Sequence, residues 1–85
     1  TAISRSLQIA SENVQAGETS ASVIKSQIVD EMTAEALATL DYVEIVEGSS
    51  LQTIDQITEG TLILIAAKVA NARLIDNVNP YFGIK

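Results

Sequence analysis

Eleven carboxylates, five cations and two tyrosines make up the ionisable side chains of these 85 residues, and neither histidine nor cysteine is present. The lack of imidazole eliminates His-centred triads, imidazole general bases, the usual zinc sites and the HEXXH class. The lack of thiol removes disulfides, thiolate nucleophiles and thiolate metal sites. Paired carboxylates are the candidates that remain. Asp30 and Glu31 are adjacent, and neighbours on a helix point about 100° apart, so the two cannot converge on one atom and read as an exposed acidic helix face. Asp41, Glu44 and Glu47 lie along an extended segment, where the two-residue period puts Asp41 and Glu47 on one face and Glu44 on the other, so no metal is expected between them. Arg73 and Asp76, with Asn77 beside them, could form a buried Arg–carboxylate pair that either braces a sheet or faces a ligand, and bracing is the favoured reading. Arg5, early in a helix, reads as a solvated cation. The four glycines are isolated and no GxxxxGK or GxGxxG occurs, so no phosphate cradle is visible. No catalytic, cofactor-binding or metal-binding residue is assigned.

The net charge of −6 is carried with Arg5, Lys25, Lys68, Arg73 and Lys85 far apart. Nucleic acid and anionic membrane both need clustered cations, so neither is expected as a partner. The longest apolar run, Leu62 to Ala67, is far short of the ~20 residues of a spanning helix. The first residues lack a basic and then apolar signal pattern, and a cytoplasmic location fits.

The elements that would position these side chains can be read from periodicity. Ile3, Leu7, Ala10 and Val14 form one helical stripe, which Gly17 should end. Thr19 or Ser20 can cap a second helix whose buried stripe is Ala21, Ile24, Ile28 and Met32, and the two helices should pack as an antiparallel pair. The helix-to-strand boundary is placed near Ala36. Leu40 to Glu47 alternates as a strand, with Val43 and Ile45 opposed to Tyr42, Glu44 and Val46. Gly48, Ser49 and Ser50 turn the chain, Leu51 to Ile54 runs briefly extended, and Asp55 to Gly60 makes a polar loop. Thr61 to Val69 is apolar on both faces, a pattern suited to a central strand covered on both sides. Asn71, tolerant of positive φ, allows a turn into a third strand, Ala72 to Val78, which Asn79 and Pro80 end. The expected fold is α+β in two layers, a helix pair on a three-stranded antiparallel sheet in the order ααβββ. Residues 1–79 are read as the domain and 80–85 as a tail, whose Tyr81, Phe82 and Ile84 either pack on it or belong to a further segment of polypeptide.

Asp41-Tyr42-Val43-Glu44-Ile45-Val46, then Leu51, Asp55, the run Leu62 to Val69 and above all Arg73-Leu74-Ile75-Asp76-Asn77 form a series that resembles the C-terminal domain of the pantothenate synthetases, the pantoate–β-alanine ligases. The likeness runs from the helix ending in Ala16-Gly17-Glu18 to the RLIDN string. Glu47 stands where the family commonly has Asp, Thr53 where Pro is frequent, and Ala70-Asn71 where the hairpin usually carries glycine. The resemblance implies a parent enzyme that uses ATP and Mg2+ to make an enzyme-bound pantoyl adenylate from pantoate. The amine of β-alanine then attacks it to give pantothenate and AMP. It further implies a homodimeric parent whose nucleotide motifs, HIGH-like and KMSKS-like, sit on an N-terminal Rossmann-like domain. Those motifs have no counterpart here, so none of the family's catalytic or ligand-binding roles passes to a position in this sequence. This segment is expected to hold no cofactor, to be inactive alone, and to serve as a lid that keeps water from the acyl adenylate. The alternative is a free-standing interaction module that offers a sheet edge or the Tyr81-Phe82 tail to a protein partner.

Overall fold

The computed structural model describes residues 2–81. Its elements are α1 (Ala2–Gln15), α2 (Ala21–Thr33), β1 (Ala38–Glu47), β2 (Thr61–Val69) and β3 (Ala72–Val78). The strands form one antiparallel sheet in the order β1-β2-β3, and both helices lie on a single face of it, α2 against β1 and α1 against β2. This is the two-layer ααβββ arrangement expected from the sequence.

In α1 the stripe Ile3, Leu7, Ala10 and Val14 is buried. Gly17, at φ +116°, ends the helix, with its N–H on Val14 O and the Glu18 N–H on Asn13 O. That pair of bonds satisfies two carbonyls the last turn would leave unpaired, in a conformation that costs glycine little. Ser20, not Thr19, caps α2: its Oγ accepts from the Val23 N–H at 3.5 Å, and the Glu18 carboxylate accepts the Ser20 N–H at 3.0 Å. The helices run antiparallel, tied by Asn13 Nδ2 donating to Gln27 Oε1 at 2.8 Å and by Arg5 bridging to Glu31. Ala21, Ile24, Ile28 and Met32 of α2 meet Val43, Ile45, Ile63, Ile65 and Ala67 of the sheet in one core. Burying each large side chain there contributes about 1.5–3 kcal/mol.

The segment between β1 and β2 is held at both ends. The Glu47 N–H donates to Gln52 O, Thr53 bridges Val46, the Ala21 N–H donates to Asp55 O, and the Ile57 N–H donates to Thr19 O. The connector therefore follows the edge of β1 and then pins the start of α2.

Three details differ from the sequence reading. First, the register of β1 slips between Leu40 and Tyr42, making Asp41 the extra residue of a β-bulge. The bulge breaks the strict alternation, and Asp41 reaches Arg73 rather than standing in line with Glu47. Second, β2 is covered by helices on one face alone: Leu62 and Leu64 are half-buried, Lys68 is exposed, and Leu62 and Leu64 do not belong to the core. Third, the β2–β3 turn places the positive φ on Ala70, at +54°, and not on Asn71. The pairing of Val69 with Ala72 leaves two turn residues, and a left-handed first residue suits the twist of the strands.

After β3, Asn79 Nδ2 donates to Glu59 O at 2.6 Å and Pro80 is fully buried, so the chain stays on the domain to this point. Tyr81 is partly exposed; Phe82 and Ile84 lie outside the described residues.

Candidate functional site

The candidate charges do not gather. Glu31 accepts from Arg5 Nε at 3.2 Å, and Glu35 lies 3.9 Å from the same guanidinium, so Arg5 joins the two helices instead of standing free in solvent. Asp30 is exposed. Asp76 accepts the N–H of its neighbour Asn77 at 2.8 Å, and Arg73 turns from it to Asp41, whose Oδ2 lies 3.1 Å from Arg73 Nε. The pair joins β3 to β1 over the intervening β2, and it is exposed rather than buried, which makes it a modest brace. Glu47 is spent on the hairpin tip, accepting from both the N–H and the hydroxyl of Ser49 at 3.3 Å. Among the described residues no three acids are grouped in a way that could hold a metal ion.

Among the described residues, two surface hollows bear on function. One, of about 170 Å3, lies at the edge of β1 between the start of α2 and the connector, lined by Ser22, Lys25, Glu44, Thr53 and Asp55 among others. Ser22 and Lys25 share this cleft with no hydrogen bond between them. A serine without a base in reach is not an activated nucleophile. The other hollow, of about 380 Å3, is bounded by Val14, Gln15, Gly17, Thr19 and Tyr81, and among the described residues no carboxylate, lysine or arginine lines it. Neither offers an acid–base pair or a phosphate cradle.

The surface with the strongest functional character is the outer face of the sheet. Across it, Tyr42 pairs with Ala66 and Ala66 with Ile75, while Val46 pairs with Leu62 and Glu44 with Leu64. Ala66 and Val46 are buried there, apart from the cluster that packs beneath the helices. Sequence reasoning assigned none of these residues a role. The available signal was the double-sided apolar pattern of β2 in a chain with helices enough for one layer.

A family model described as pantoate-beta-alanine ligase matches residues 1–79. The chain belongs to this family. The pantothenate synthetase of Pelotomaculum thermopropionicum is 44% identical over 75 residues, which are 88% of this chain and 27% of that protein. The pantoate–beta-alanine ligase of Arabidopsis thaliana is 38% identical over 76 residues, 89% of this chain and 24% of that protein. The fold of residues 2–81 recurs in the crystal structure of pantothenate synthetase from Thermus thermophilus, with a TM-score of 0.84 at 24% identity, covering 94% of this chain and 29% of that one. The chain thus spans about a quarter of the length of the ligases it matches.

Proposed function

We propose that this chain is the C-terminal, lid-type domain of a cytoplasmic, ATP-dependent and AMP-forming pantoate–β-alanine ligase. One observation carries the reading: the family match extends over residues 1–79 while the chain amounts to 27% of its relative from P. thermopropionicum. A domain with that parentage serves the reaction of an enzyme most of whose polypeptide lies elsewhere.

The residues present do not fit the nucleotide or its magnesium. No glycine-lined loop offers backbone N–H groups to phosphate, and no acids are grouped for a metal among the described residues. On the family resemblance, ATP and Mg2+ belong mainly to an N-terminal Rossmann-like domain of the parent enzyme, whose substrates are pantoate and β-alanine, and no chemical step is routed through this chain. Its contribution is to close over the site, position the reactants and exclude water from the acyl adenylate. The dimeric state of the parent rests on the family resemblance alone.

Replacing the matched segment of the P. thermopropionicum enzyme with this chain tests the reading. Pantothenate formation should persist in the fusion and be undetectable with the 85 residues alone. An inactive, correctly folded fusion would sink the assignment.

A further inference from the structure

β2 has the residue pattern of a strand covered twice, and among the described residues helices cover one of its faces. Its inner face, Thr61, Ile63, Ile65 and Ala67, is fully buried on the helix side of the sheet. Its outer face carries Leu62, Leu64 and Ala66, flanked by Val46 and Tyr42 on β1 and by Ile75 on β3. Ile75 is 64% and Tyr42 37% exposed and Leu62 and Leu64 are half-buried, while Ala66 and Val46 are covered by their neighbours, so the apolar patch meets solvent at its β3 and β1 margins and over the two leucines. Antiparallel sheets with one wet face ordinarily alternate cleanly between apolar and polar residues, and β2 does not.

Charge singles out the same face. Its charged residues are Asp41, Glu44, Lys68 and Arg73, two of each sign, and Asp41 and Arg73 neutralise each other in an ion pair. The chain as a whole carries −6, so the acidic surplus lies elsewhere and this is an electrically balanced apolar surface. Fully buried centres of protein interfaces are depleted in charged residues and rich in aromatic and aliphatic side chains, and the stretch of Tyr42, Leu62, Leu64, Ala66 and Ile75 has that composition. At one end the face meets the hairpin tip, where a methyl group added to Gly48 would lie 3.7 Å from the Leu62 Cδ1. Leu51, in the same tip, is 62% exposed and held at φ +59°, a conformation costly for leucine. Neither its packing within the domain nor its backbone preference accounts for a leucine there.

We infer that this outer sheet face, with Leu51 at its rim, is the surface on which the rest of the ligase polypeptide packs. The occupant is the remainder of the same chain, because relatives carry about three-quarters of their length outside the matched segment, where this chain amounts to 27% of the P. thermopropionicum enzyme. The inference rests on the reading of the chain as one domain of that ligase.

Hydroxyl-radical footprinting of the 85-residue chain, alone and within the P. thermopropionicum fusion, tests it, with pantothenate formation by the fusion measured separately. Labelling of Tyr42, Leu64 and Ile75 should fall severalfold in the active fusion, while Val23 on the helix layer stays labelled. Ile75→Arg should leave the melting temperature of the chain alone unchanged and lower turnover of the fusion about tenfold, the scale of a lost interface anchor. Leu51→Gly should raise the melting temperature of the chain alone and lower fusion turnover, opposite signs that a purely structural leucine would not give. An active fusion whose outer face is labelled as strongly as in the free chain overturns the inference and leaves the family reading intact. Concentration-dependent protection of the same residues in the free chain also overturns it, since a second copy would then be the occupant. A folded fusion with neither activity nor protection removes the lid-domain reading and the inference together.

Discussion

At the scale of single residues, the two left-handed positions have the clearest energetic signature. Ala70 opens a two-residue turn at φ +54°, where a Cβ is unfavourable and glycine is not. Ala70→Gly is therefore expected to stabilise the domain by about 0.5–1 kcal/mol, the strain relieved exceeding the added entropy of the unfolded chain. Asn71→Gly should give no such gain, because residue 71 does not adopt positive φ. Urea unfolding of both variants decides between them. The sequence pointed to Asn71 because asparagine tolerates this conformation, but register determines which turn residue must adopt it, and register is a property of two strands together. Arg73→Ala should cost less than about 1 kcal/mol, since both partners of its ion pair are exposed and hold long side chains in water.

At the scale of elements, the helix stripes and the inner sheet face carry the stability. Ile28→Ala and Ile63→Ala, at fully buried sites, should each cost about 2–5 kcal/mol by chemical denaturation, whereas Val23→Ala on the exposed side of α2 should stay within about 0.5 kcal/mol. Gly48→Ala should also destabilise, because its Cβ would meet Gly60 O at 2.9 Å, where the Gly48 N–H already bonds at 2.8 Å. All five elements were legible from local pattern: Ile3, Leu7, Ala10 and Val14 recur at helical spacing, and Val43 and Ile45 alternate with polar neighbours. The bulge at Asp41 was not legible, because an extra residue in β1 exists only relative to the count in β2. The face assigned to Asp41 was therefore wrong, and so was the partner expected for Arg73. The apolar run of β2 was read correctly as central in the sheet, but among the described residues helices cover one of its faces, and composition alone could not show which layer lies on the other.

At the scale of the whole molecule, the proposed lid role is matched by a sparse set of chemical groups. Histidine and cysteine are absent, the described acids are dispersed into helix pairing, a sheet-spanning brace and a hairpin cap, and no backbone loop is shaped for phosphate. The lid role proposed for this domain asks for packing, closing and keeping water out, none of which needs those groups. Calorimetric titration of Mg·ATP into the 85-residue chain is the sharpest check on that role. No binding heat is expected up to millimolar nucleotide, and saturable uptake with a micromolar Kd would contradict it.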